Sequence, residues 1–181
     1  MEHLYYLVAQ LPAISVNDDS SQKLPLTVGY FKDLCSRFMS EKSAKLAEKL
    51  TLEPPVEPVS TGSVFLDEWY EKERCLRLAL AQIRALKMKK DVKDLPSASD
   101  GESIQAARTA TGMDSPLAAE QYLNQYRLGI LDRIAPMDNF SADAVYSYGL
   151  KLMLAERMKK FNKDEGLASY HKIYDEILGE K

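Results

Sequence analysis

The sequence predicts an all-α protein, a helical bundle-like array with two long helices and several shorter ones. Three observations carry that expectation. Apolar residues recur at helical spacing through 64–90 and 142–161. Residues suited to start helices stand where such runs begin, with Ser115 ahead of Pro116 and Ser141 ahead of Ala142. No run reads as a confident strand of alternating polar and apolar residues. The clearest helical stripe is Trp69, Glu73, Leu76, Leu80 and Ile83, one face of a helix with an acid inside it.

Leu4, Leu7, Val8 and Leu11 keep helical spacing up to Pro12 and suggest a short buried helix, with a strand over Leu4–Ala9 as the alternative because of Tyr5, Tyr6 and Val8. Residues 15–26 are polar, end in Leu24-Pro25-Leu26 and read as a loop. Thr27 can cap a helix carrying Val28, Phe31, Leu34, Cys35 and Phe38, and Ser40 a weaker one with Ala44, Leu46, Ala47 and Leu50. Glu53-Pro54-Pro55-Val56-Glu57-Pro58 then breaks the pattern with a stiff connector. The long helix over 64–90 ends in Lys87, Lys89 and Lys90, cations suited to the negative end of its dipole and expected to be solvated.

Residues 93–103, with Asp, Pro, Ser and Gly, form a loop between an N-terminal helical part, 1–92, and a C-terminal one, 104–181; one continuous domain is the alternative. A short helix is expected over Ile104–Thr111, stopping at Gly112. The next starts at Pro116, turns Ala119, Leu123, Tyr126, Ile130 and Ile134 inward, and ends by Pro136. After the helix over 142–161, Leu167, Tyr170, Tyr174, Ile177 and Leu178 mark a final one following Gly166.

The 181 residues, 45% hydrophobic and 28% charged, fit a folded chain with a real core. A formal charge of −3 argues against a nucleic-acid or membrane-surface binder. Cys35 and Cys75 fall on helices without ligand spacing, which fits a reducing compartment. Glu2, Gln10 and Pro12 spoil the N-terminus as a signal peptide or membrane span, so the cytoplasm is the expected location.

No catalytic, cofactor-binding or metal constellation emerges. Gly-x-x-x-x-Gly-Lys-Ser/Thr, Gly-x-Gly-x-x-Gly and Gly-x-Ser-x-Gly are absent, and His171 has no second His at helical spacing. Asn139-Phe140-Ser141 matches a glycosylation sequon, but Ser141 is better explained as a cap. The expectation is a protein that is not an enzyme and takes no cofactor.

Two acid–base neighbours lie in apolar helices, Glu73-Arg74 and Glu156-Arg157. Long charged side chains ordinarily reach water along the helix; the other reading is an ion pair between helices or a site completed by a partner subunit. Glu73, inside the stripe, is expected to meet an arginine of another helix, with Arg157, Arg133 and Arg127 as candidates in that order. Arg157 leads because Tyr146, Leu150 and Met153 set it on an apolar face. Gly129 and Gly149, mid-helix, suggest close helix crossings. The pairs Tyr122/Tyr126 and Tyr170/Tyr174 are candidates for a partner surface, with core packing as the competing reading.

Three stretches together resemble a family of uncharacterised bacterial proteins encoded beside V-type ATPase subunits. They are Tyr5-Tyr6-Leu7-Val8-Ala9-Gln10-Leu11-Pro12, Trp69-Tyr70 through Arg84-Ala85, and Phe140-Ser141-Ala142 through Ala155-Glu156-Arg157. Ser115-Pro116-Leu117-Ala118-Ala119-Glu120 fits the same pattern. That family is similar to the C subunit (d in other nomenclature) of V/A-type ATPases, a helical adaptor between the central rotor shaft and the membrane ring. Tyr146-x-x-x-Leu150-x-Leu152-x-x-Ala155-Glu156-Arg157 is similar to that subunit's repeated helical motif. The resemblance implies a non-catalytic C/d-like adaptor with shaft and ring subunits as protein partners. It also implies no nucleic acid, no direct membrane insertion, and a cytoplasmic place peripheral to the membrane through the complex. The alternative is a free-standing helical scaffold or regulatory protein-binding module.

Overall fold

The computed structural model describes residues 4–14, 24–90, 96, 98–160 and 163–179, with the side chains of 163–165 left aside. These residues form eight helices and no strand: α1 (Tyr5–Ala9), α2 (Val28–Phe38), α3 (Glu41–Glu48), α4 (Val64–Lys87), α5 (Gly101–Thr111), α6 (Pro116–Arg133), α7 (Ala142–Lys159) and α8 (Lys163–Gly179). The chain is all-α, and no described helix is long and apolar enough to cross a membrane.

Local chemistry sets most boundaries. Six helices open on a side-chain oxygen that accepts a backbone N–H of the first turn, from Thr27, Ser40, Ser63, Asp100, Ser115 and Ser141. Pro116 occupies the first turn of α6, where a missing N–H costs nothing. Some boundaries differ from the expected ones; α8, for one, starts at Lys163, ahead of Gly166. α5 starts at Gly101, three residues before Ile104, because Asp100 supplies the cap. α4 ends at Lys87, since Lys89 adopts a positive φ of 54°. Of the loop expected over 15–26, residues 15–23 lie outside the described residues, as do 93–95 and 97 of that over 93–103, and Phe161.

The core has two parts that share helices. The larger gathers Leu7, Phe31, Leu34, Trp69, Leu131, Tyr146, Leu150 and Leu154 from α1, α2, α4, α6 and α7. The smaller gathers Leu76, Ala79, Leu80, Ala106, Ala107, Ala110 and Leu123 from α4, α5 and α6. Each part draws residues from both sides of 93–103, so the partition runs across α4 and α6 rather than between halves of the chain. α4, with 24 residues, is about 36 Å long and reaches through both. Its N-cap also ties it to α7, because Ser63 Oγ donates to Asp143 Oδ1 at 2.6 Å. Tyr146 Oη donates to the Ser43 carbonyl at 3.1 Å, and Tyr148 Oη to that of Pro12 at 2.8 Å. Cys35 is fully buried, and burial pushes its thiol up to about 12, so it is an inert packing residue.

The two mid-helix glycines part company. A Cβ on Gly149 would stand 2.6 Å from Phe31 Cε1 and 3.0 Å from Leu50 Cδ1, so α7 crosses the α2–α3 layer there with no room for a methyl group. Gly129 has nothing within 4 Å, so its expected close crossing is corrected: it faces solvent. Gly149→Ala should therefore destabilise by about 1–3 kcal/mol, the usual cost of overpacking. Gly129→Ala should stabilise by roughly 0.5–1 kcal/mol through helix propensity. Urea midpoints of the two variants against the parent check both signs.

Candidate functional site

Glu73 lies between the two core parts. On α4 its neighbours one turn back, Trp69 and Tyr70, belong to the larger part, and Leu76 and Leu80, ahead, to the smaller. With 1% of its surface exposed, the carboxylate has no water to solvate it. Arg127 of α6 supplies the partner: Nε donates to Oε2 at 2.9 Å and Nη2 to Oε1 at 3.1 Å, a two-pronged pairing. Arg77, one turn on along α4, donates Nε to Oε1 at 2.8 Å. Arg127 is itself 5% exposed, and its Nη1 donates to Asn124 Oδ1 at 3.3 Å. The buried charges therefore satisfy one another.

The order of arginine candidates is corrected by this geometry. Arg127, the last named, holds Glu73. Arg157 turns to Glu120 of α6. Arg133 reaches Glu102 of α5 at 2.7 Å on the exposed surface. Arg157 sits near the end of α7, level with the first turns of α6, whereas Arg127 sits mid-α6 opposite mid-α4. The signal was present in the sequence: Leu123, Arg127, Ile130 and Ile134 repeat at intervals of four, three and four, as Trp69, Glu73, Leu76 and Leu80 do. Of the acid–base neighbours, Glu156 is exposed, and Arg74 pairs with Glu71 and donates to the Pro55 carbonyl.

Beside this pairing lies an open cavity of about 610 Å³ bounded by α4, α6, α7 and the stretch after α3. Leu52, Leu80, Leu123 and Met153 give it an apolar wall, and Arg77, Arg84, Arg127, Arg157 and Lys160 give it a cationic one.

The tyrosine pairs also separate. Tyr122 and Tyr126 are half-buried and pack against the smaller core, Tyr126 touching both parts. Tyr126 Oη lies 3.3 Å from Ser103 Oγ, and burial raises its phenol above the ordinary value. Tyr170 and Tyr174 are 60% and 49% exposed and stack with ring centroids 6.0 Å apart. Leu167, Ile173, Ile177 and Leu178 on the same helix are each more than half exposed. A second exposed aromatic group lies at α1, where Tyr5 packs at a tilt against Phe140, ring centroids 4.3 Å apart, beside the outward Tyr6.

Among the described residues no group of three or more His, Cys, Asp and Glu is placed to hold a metal ion. No protein-family model matches the chain, and no curated protein or solved structure matches it either.

Removing the acid leaves Arg127 buried without its counter-charge. Glu73→Ala should lower stability by about 3–5 kcal/mol, whereas Arg157→Gln, which breaks a partly exposed pair, should cost no more than about 1 kcal/mol. Guanidinium denaturation followed by fluorescence of Trp69, fully buried and the single tryptophan, measures both. Equal costs would remove Glu73 from its central place.

Proposed function

We propose that this chain is a non-catalytic adaptor that joins protein partners through helix faces, of the kind exemplified by the C/d subunit between rotor shaft and membrane ring. The observation that carries the reading is α8. Its apolar side chains are exposed, and they recur along one helix at the spacing of a seam, Leu167, Tyr170, Tyr174 and Ile177. Apolar surface gathered in this way marks an interaction site on a folded protein, whereas single exposed apolar residues do not.

Two further features support the same reading. An adaptor needs a second contact surface, and Tyr5, Tyr6 and Phe140 offer one built on α1 and the turn before α7. Torque transmission also needs a stiff element, and α4, packed along its length and braced at Glu73, is one. The resemblance through Trp69–Ala85 and Phe140–Arg157 falls on the two helices that build this frame. On this reading the partners are rotary ATPase shaft and ring subunits, the location is cytoplasmic and peripheral to the membrane through the complex, and the chain hydrolyses nothing itself. A free-standing helical scaffold is the second reading, favoured if α8 binds some other helix.

Calorimetric titration of purified shaft and ring subunits into the protein tests the proposal, with nucleotide hydrolysis assayed on the same sample. Binding at micromolar concentrations is expected, without turnover. Tyr170→Ser/Ile177→Ser should abolish binding of one partner and leave the melting temperature within about 1 °C, because neither residue belongs to a core part. No affinity for either subunit at about 50 μM, some −6 kcal/mol of binding free energy, would leave the scaffold reading alone.

A further inference from the structure

We infer that the cavity between α4, α6 and α7 is a binding site for a small multivalent anion of the phosphate-ester class, independent of the adaptor reading. The argument starts from donor bookkeeping. An arginine has five N–H groups. Arg127 spends its Nε and Nη2 on Glu73 and its Nη1 on Asn124, and so serves as the floor. Arg77 gives Nε to Glu73 and Nη2 to the Leu52 carbonyl at 3.4 Å, but its Nη1 stops 3.8 Å short of Glu53 Oε1, too far for a hydrogen bond. Arg157 commits Nη2 to Glu120 and lines the cavity, with its other N–H groups in no hydrogen bond among the described residues. Arg84 and Lys160, both exposed, form no side-chain hydrogen bond or ion pair among the described residues, and both line the same space.

Four cationic side chains with donors to spare thus meet in one concavity of a chain that is acidic overall. The acids around it do not cancel them. Glu73 is beneath the floor and already filled, and Glu120 is held by Arg157. Glu53 is 79% exposed and Glu156 is exposed, so both can swing to water as an anion enters. Surface lysines and arginines ordinarily repel one another unless an anion sits among them, and a phosphate matches the planar donor edge of a guanidinium. The apolar wall of Leu52, Leu80, Leu123 and Met153 suits the organic part of an ester. A volume of about 610 Å³ falls in the range of small-molecule sites.

Isothermal titration of the full chain with pyrophosphate, with ADP and with citrate, at ionic strength matched by sodium chloride, tests the site. Saturable binding of pyrophosphate and ADP is expected, tighter than that of citrate. Arg84→Gln and Lys160→Gln should each weaken it about 5- to 10-fold, since each removes one charge-assisted contact. Glu53→Gln should tighten it, because the competing acid is gone. All three positions are exposed, so the variants should fold like the parent, which circular dichroism verifies. No saturable binding of pyrophosphate or ADP at about 5 mM, an affinity too weak for a site, would overturn the proposal. So would citrate binding as tightly as either, or affinity unchanged in the Arg84→Gln/Lys160→Gln double variant. Shaft and ring binding through α8 is read separately, and its failure leaves this result untouched.

Discussion

The carboxylate of Glu73, held by three guanidinium N–H groups where two core parts meet, is the constraint on which the arrangement turns. A helix of 24 residues outruns what one small hydrophobic cluster can cover. The chain covers α4 with two clusters, and between them the helix must pass a point where neither is complete. Placing an acid there is affordable only because α6 makes the same passage and brings Arg127 and Asn124 to it. Isolated, either charge would cost several kcal/mol of desolvation. Together, with Arg77 as the third member, every oxygen of the carboxylate is filled.

The other helices can be understood as coverings of this pair. α5 lies on the far half of α4 and tapers to alanines, Ala106, Ala107 and Ala110, so that the backbones come close. α7 covers the near half, backed in turn by α2 and α3, and Gly149 admits Phe31 against α7. Lys72 bridges to Asp100, the cap of α5, at 3.2 Å. The Ser103 hydroxyl, and after it Lys72, hold the Asp100 carboxyl below its ordinary range even though burial opposes them. α8 takes no part in either cluster. Its apolar residues are therefore not explained by folding of the described chain, which is why they weigh toward binding.

Much of this was legible in the sequence because it is local. Thr27, Ser40, Ser115 and Ser141 announce helix starts through a hydrogen bond that spans three residues, and the acid inside the α4 stripe announces a buried pair. What was not legible depends on which helices face one another. Arg157 and Arg127 are both arginines near apolar stripes, and only the crossing of α4 with α6 decides between them. The cavity has the same character: Arg77 and Arg84 stand on α4, Arg157 and Lys160 at the end of α7, far apart in sequence, and no spacing rule joins them. Gly129 and Gly149 are indistinguishable by position in a helix; Phe31, over a hundred residues away, separates them.

The seam also fixes register. Sliding α6 along α4 by one turn, about 5.4 Å, would set Glu73 against Leu123 or Leu131 and leave Arg127 among apolar side chains. Apolar residues alone impose no such penalty, since Leu and Ile interdigitate comparably well one turn on. The pair thus contributes less to net stability than to the choice among packings, the role best attested for buried polar groups. Glu73→Leu/Arg127→Leu removes both buried charges at once and leaves only the part-exposed Arg77 to turn to water, so its stability should fall within about 2 kcal/mol of the parent, against the larger loss of either single change. What should suffer is uniqueness: broader amide resonances and faster hydrogen exchange in α5 and α6, with helix content intact. A double variant as sharply resolved as the parent would assign register to the apolar surfaces after all.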